Sequence, residues 1–282
     1  MAKFGNVTNM RNCNLWFLPF VLVACKDKAV DPQGTAGTAA DTRRPTVSAT
    51  ATASALTSAD KPPASPCPDS AALIPGGTFK HAAPGNPVKL VESTVVPFCM
   101  DKLEVTTAAY DACVAEGKCT AGDFGGFCNG KSSSRSNHPI NCVNWNQAEA
   151  YCKLKGGRLP TEVEWEFAAR GTDGRNYPWG NKAPEDHLCW KRKQSERDGE
   201  GTCPVGAHPK GDSPFGLSDM SGNVREWTSS DFKPGDVRKV ERGGAWDNDD
   251  TFSVGVVYRE KNSPGIGYYN IGIRCAYDKS GG

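Results

Sequence analysis

Apolar positions in this chain form one block near the start, then thin out, then return as short periodic stretches divided by turn residues. The block runs from Leu15 to Ala24, follows Lys3 and Arg11, and stops at Cys25. It is too short to span a bilayer and suits the apolar region of an export signal, predicted over residues 1–24. From Lys26 to Pro66 the chain is mainly Ala, Thr, Ser, Pro, Asp and Lys, with no aromatic residue and a single Leu56. Such a segment buries too little surface to offset its ordering entropy, so 25–66 reads as a disordered tether. As a flexible coil it holds the rest of the chain roughly 35 Å from its origin. No self-similarity recurs at solenoid or propeller periods, which leaves one domain over 67–278.

Inside that domain the helical period is brief. Thr106 to Glu116 reads as a helix closed by Gly117, with Tyr110, Cys113 and Val114 on one face. Asn146 followed by Glu149 has capping-box spacing, and Ala148, Tyr151, Cys152 and Leu154 then make a buried stripe before Gly156-Gly157. Thr161 with Glu164 repeats that spacing, Val163, Trp165, Phe167 and Ala168 pack inward, and Arg170-Gly171 ends the element. Strands are predicted at Val95–Phe98, Lys239–Arg242 and Ile271–Ala276. The long Gly, Pro, Asn and Asp loops between them are unusual unless something staples or ligates them. The class is therefore α+β, irregular, with few short helices and strands.

Charge changes this picture little. The 33 basic and 32 acidic residues leave a net charge of +1, so no global field recruits nucleic acid or an anionic surface. Cysteine changes it more. Twelve cysteines, with 31 glycines and 20 prolines, point to a loop-rich domain in oxidising surroundings. Leu22-Val23-Ala24-Cys25 resembles the bacterial lipobox, whose cysteine is diacylated and becomes the first mature residue. This predicts an exported membrane lipoprotein, facing the periplasm or the cell surface and held through Cys25; the alternative is an ordinary cleaved signal with a chance cysteine.

Six segments in order carry a family resemblance: Ile74 to Phe79 (IPGGTF), Asp101 to Thr106 (DKLEVT), His138 to Trp165, Tyr177 to Asn181 (YPWGN), Phe215 to Trp227 (FGLSDMSGNVREW), and Arg242-Gly243-Gly244-Ala245-Trp246 through Gly272-Ile273-Arg274-Cys275. Together they resemble the formylglycine-generating enzyme, or sulfatase-modifying factor, family. The resemblance implies a C-type-lectin-like fold with its site near the Gly-Gly-x-Trp turn. It also implies several jobs, among them copper-dependent cysteine oxidation, iron-dependent sulfoxide synthesis and plain ligand binding. The oxidases hold Cu(I) on two thiolates after that turn, and here those positions are Asn248 and Ser253. An amide and a neutral hydroxyl are poor ligands for a soft ion, so copper is not expected. His81, His138, His187 and His208 show no H-x-x-x-H spacing, and His138 reads as part of the scaffold.

With Cys13 removed by signal cleavage and Cys25 reserved for lipid, ten cysteines remain, an even number that suits five disulfides; zinc is the alternative, weakened by the lack of any C-x-x-C pair. The resemblance pairs Cys152 with Cys275. Proximity in sequence pairs Cys67 with Cys99 and Cys189 with Cys203, and leaves Cys113, Cys119, Cys128 and Cys142 to pair among themselves. A further family disulfide is missing on both sides, with Ala169 and Tyr258 at its positions. In Asp219 to Glu226 carboxylates flank a tight glycine turn, and the resemblance assigns a structural calcium to the Asp219 and Glu226 side chains and the Gly222 and Val224 carbonyls. A plain turn is the alternative, with Asp219 capping amides and Glu226 meeting an arginine.

The polar strip Asp247 to Asp250 stands where the oxidases keep copper. It reads equally as a ligand surface and as a solvated loop. Two functions are consistent with this: a lipid-anchored binding domain that presents Trp246, Asp247, Asn248 and Ser253 to a peptide, glycan or partner protein, or an oxidase of the family working in another way.

Overall fold

The computed structural model describes residues 66–83, 86–191 and 201–279. The expected signal, Cys25 and the tether up to residue 65 lie outside the described residues. Among the described residues there are three short α-helices, α1 (Thr107–Ala115), α2 (Trp145–Leu154) and α3 (Glu162–Arg170). The strands are β1 (Ala71–Ile74), β2 (Gly77–Ala83), β3 (Asn86–Val95), β4 (Phe98–Asp101), β5 (Arg225–Asp231), β6 (Lys239–Arg242), β7 (Arg259–Asn262), β8 (Ile271–Gly272) and β9 (Ala276–Asp278). They make a three-stranded sheet in the order β1-β4-β9, a β2-β3 hairpin, and a four-stranded sheet in the order β7-β6-β5-β8. The mixed α+β class and the scarcity of helix are as the sequence predicts.

α3 forms where its residues dictate. The Thr161 hydroxyl accepts from the Glu164 amide at 3.2 Å, while the Glu164 carboxylate accepts from the Thr161 amide at 2.8 Å. Such a reciprocal cap contributes about 1 kcal/mol. The helix then buries Trp165, Phe167, Ala168 and Ala169 and stops at Gly171, whose φ is 66°. The predicted cap of α2 is displaced by two residues. Asn144, in extended backbone, closes the box with Gln147, whereas Asn146 lies within the helix and turns its amide to the Pro264 carbonyl at 3.4 Å. Leu154 is 49% exposed, so it leaves the buried stripe of Ala148, Tyr151 and Cys152. α1 begins as expected, with Thr106 accepting from the Ala109 amide at 3.2 Å.

Two strand predictions need correction. Val95 ends β3 and Phe98 opens β4, so Val95–Phe98 is a junction; Pro97 offers no N–H to a ladder there. Ile271–Ala276 serves two sheets: Ile271–Gly272 pairs in parallel with β5, and Ala276 begins β9, which pairs with β4. The stretch from Ile273 to Cys275 carries the chain across, with the Val105 amide donating to the Ile273 carbonyl at 2.8 Å.

All ten domain cysteines are bridged, as Cys67–Cys99, Cys113–Cys119, Cys128–Cys142, Cys152–Cys275 and Cys189–Cys203. The Cys152–Cys275 bridge spans 123 residues and ties α2 to the last strand. In the loop-entropy account, closure of that length is worth about 5 kcal/mol. Trp165, Trp227 and Trp246 are fully buried and anchor the core between the sheets and helices.

Candidate functional site

The candidate ligand loop starts at two glycines that nothing else could replace. Gly243 and Gly244 have φ of 98° and 71°, and a Cβ on Gly244 would stand 2.6 Å from the Ser253 carbonyl oxygen. This turn drives Trp246 inward against Phe127 and Tyr269, with ring centroids 5.4 and 5.8 Å away. Trp246 is thus fully buried in the core and offers no surface on the loop, where the predicted ligand set places it. The other three members of that set, Asp247, Asn248 and Ser253, are half-buried on the loop. Asp247 accepts from the Asn270 amide nitrogen at 3.1 Å. The Asn248 side-chain oxygen accepts from the Ala245 amide at 2.8 Å and from Arg225 Nη2 at 3.3 Å. Ser253 donates its hydroxyl to Asp250, which also accepts the Ser253 and Phe252 amides at 2.8 and 3.0 Å. Those bonds hold the Asp250 carboxyl below the usual range.

Aromatic rings frame this loop. Phe252 is 65% exposed and meets Tyr258 edge-on at 5.4 Å. Tyr177 donates its hydroxyl to the Thr251 carbonyl at 3.1 Å and heads a stack, Tyr177 on Trp179 at 5.0 Å and Trp179 on His187 at 4.7 Å. On the neighbouring sheet Glu241 is fully buried, and neither of its oxygens makes a hydrogen bond; the nearby Asn262 amide only partly offsets this. Burial pushes its carboxyl up to about 8 despite the charge of Arg225, whose Nε is likewise buried and unbonded.

The Asp219–Glu226 turn has the predicted shape, with Asp219, Gly222 and Asn223 all at positive φ. A Cβ on Gly222 would lie 2.6 Å from the Cys189 carbonyl oxygen, so glycine is required. One Asp219 oxygen accepts from the Gly206 amide at 2.6 Å. Glu226 is fully buried and accepts from Arg274 Nε and Nη2 at 2.9 and 2.8 Å and from Trp165 Nε1 at 2.6 Å. An ion would have to compete with Arg274 for Glu226. Glu104, which lies in the DKLEVT segment but to which the sequence assigns no site role, joins them by accepting from the Asn223 side chain at 2.6 Å and the Val224 amide at 3.2 Å. Burial, and then Asp219 and Glu226, push the Glu104 carboxyl well above the usual range. Three buried carboxyl groups thus surround one guanidinium, an oxygen-rich set of the donor type that a hard cation prefers.

Copper does not fit the residues present. Asn248 and Ser253 are hard donors, and both side-chain oxygens are committed within the loop. His138 meets the Thr202 hydroxyl through Nδ1 at 2.9 Å, inside the scaffold.

This geometry is that of an irregular, disulfide-stapled α+β domain organised around a Gly-Gly-x-Trp turn. Residues 57–279 match the sulfatase-modifying factor enzyme 1-like domain, and the chain belongs to that family. It is 34% identical over 229 residues to the formylglycine-generating enzyme of Thermomonospora curvata, covering 70% of each chain. It is also 42% identical over 150 residues to the mouse inactive C-alpha-formylglycine-generating enzyme 2, covering 49% of this chain and 48% of that one. The chain therefore spans about half the length of this mouse relative. Among solved structures, PvdO from Pseudomonas aeruginosa matches with a TM-score of 0.60 at 23% identity, over 74% of this chain and 94% of that one.

Proposed function

We propose that this chain is a lipid-anchored envelope protein whose domain binds a peptide, glycan or partner protein at the 247–253 loop and does not oxidise cysteine. The observation that carries the reading is the state of the two thiolate positions. Asn248 receives the Ala245 amide and Arg225, and Ser253 donates to Asp250, so both side chains serve the loop itself. Neither can supply the thiolate that the family's copper chemistry needs. A relative with 42% identity carries the name of an inactive enzyme, which supports the same direction. In this reading Cys25 holds the protein to a membrane. A structural calcium sits on Asp219 and the carbonyls of Gly222 and Val224, with Glu226 shared between the ion and Arg274.

The test uses the full chain treated with copper and oxygen and given a sulfatase-type cysteine peptide, with the aldehyde product read by mass spectrometry. No aldehyde is expected, and Asn248→Cys with Ser253→Cys should restore some. Turnover by the parent above a no-protein control overturns the proposal. Made in cells with and without Cys25→Ala, the same chain should sediment with membranes only when Cys25 is present; equal partition removes the anchor.

A further inference from the structure

One bridge differs from the other four in what stands beside it. The sulfurs of Cys189 and Cys203 and a ring nitrogen of His208 lie within 4.8 Å of one another. Among the described residues no other three histidine, cysteine or acidic groups converge so closely.

The imidazole is already oriented. His208 Nδ1 lies 3.1 Å from the Asp186 carbonyl oxygen. A carbonyl has no proton to give, so this bond exists only with Nδ1 protonated, and Nε2 keeps its lone pair in the neutral ring. A backbone carbonyl on the far nitrogen is a common way to fix a metal-binding histidine.

The cysteine backbones are also held without help from the bridge. Asn223, fully buried, donates its amide to the Cys189 carbonyl at 2.9 Å and accepts the Cys203 amide on its side-chain oxygen at 2.9 Å. Opening the sulfur–sulfur bond therefore leaves both cysteines tied to one residue of the core. Cys203 and His208 are half-buried, which admits a reductant and an ion, while Cys189 is buried.

We propose that Cys189, Cys203 and His208 form a redox-gated site for a thiophilic divalent metal, zinc. In the oxidised chain the two sulfurs bond to each other and carry no charge, so they bind metal weakly. A dithiol reductant supplies two electrons and two protons: the protein bond breaks, two S–H groups form, and the dithiol closes to its own disulfide. Zinc then displaces both thiol protons to solvent. Two thiolates and a neutral imidazole give three ligands of the types zinc prefers, with a fourth position left for water.

The experiment reduces the folded full chain with dithiothreitol, removes the reductant without air, and titrates zinc against a chromophoric chelator. One equivalent should bind to the reduced chain and none to the oxidised one. Zinc should shield Cys189 and Cys203 alone from alkylation, read by peptide mapping. Cobalt in place of zinc should give the visible and near-ultraviolet bands of a tetrahedral thiolate complex. His208→Ala should weaken binding at least tenfold while the oxidised variant still forms the Cys189–Cys203 bridge. Equal binding by His208→Ala, shielding of other cysteines, or retention of metal by Cys189→Ser with Cys203→Ser overturns the proposal. Loss of native circular dichroism on reduction, not recovered when zinc is added, overturns it too, because the site then has no folded state to occupy.

Discussion

Glu226 and Glu241 lie on adjacent strands, both fully buried, and they are treated in opposite ways. Glu226 receives three N–H groups from Arg274 and Trp165, and Arg274 spends its other bonds on the Asp101 and Ser218 carbonyls at 3.0 and 2.7 Å. Glu241 pairs with Trp227 on one side and Glu260 on the other, and its oxygens have no well-formed hydrogen bond, only the nearby Asn262 amide and the charge of Arg225. The difference teaches where this domain keeps its order. A saturated ionic centre stands around Arg274, whereas Glu241 and Arg225 Nε leave polar atoms unsatisfied on the Asn248 side, as the Nε atoms of Arg170 and Arg242 do around Glu166. Buried polar atoms without partners are uncommon enough to mark regions that serve something other than stability.

The largest effect is expected at Glu226. Glu226→Ala strands the buried Arg274, and the expected loss is about 3 to 5 kcal/mol in urea unfolding. That loss should appear with calcium chelated as well as present. Calcium should separately raise the parent's thermal midpoint and leave Asp219→Ala unmoved. A Glu226→Ala penalty seen only with calcium would make Glu226 an ion ligand first and a partner of Arg274 second.

A smaller effect is expected at Glu241, and it depends on pH. Its folded carboxyl titrates near 8, above the ordinary 4.5, so the folded chain holds this proton more tightly than the unfolded one. Stability from this group is full below about pH 4.5, falls as pH rises toward 8, and is flat beyond. Glu241→Gln, neutral throughout, should match the parent near pH 4.5 and exceed it at pH 9 by about 2 to 4 kcal/mol. Parallel stability curves for the two would show that Glu241 is charged and compensated in the folded chain.

The smallest effect belongs to the loop. Asn248→Ala removes the acceptor used by the Ala245 amide and Arg225, at a cost of about 1 kcal/mol. Differential scanning calorimetry measures it. A loss of 3 kcal/mol or more would place Asn248 in the scaffold and not in the proposed ligand loop.

Local signals are the legible part of the sequence. Thr161 and Glu164 announce α3 because a capping box is a contact three residues long, and the cysteine pairs come from short separations or from the family resemblance. The α2 cap slips because Asn144 and Asn146 both precede a suitable residue three positions on, and only packing chooses between them. Val95–Phe98 reads as a strand because an apolar run does not reveal that Pro97 bends it. At the site, the turn glycines and the missing thiolates are visible as residue types. The burial of Glu104, Glu241 and Arg274 is not, since a charged residue in a short strand or connecting segment looks the same whether water or another element covers it. Trp246, an aromatic inside a family motif beside acidic residues, fits core packing and a pocket wall alike by residue type, and the structure buries it fully.

The five bridges also have an order. Cys67–Cys99, Cys113–Cys119 and Cys128–Cys142 succeed one another along the chain, and Cys189–Cys203 lies inside Cys152–Cys275 without crossing it. From Cys152 to Cys275 the polypeptide is therefore a closed ring in the covalent sense. A protease that cuts once anywhere within it liberates no fragment: both ends stay attached, the sheets stay in register, and the nicked chain runs whole on a gel until the bridges are reduced. In a domain stapled this way, damage to a loop need not become loss of the molecule.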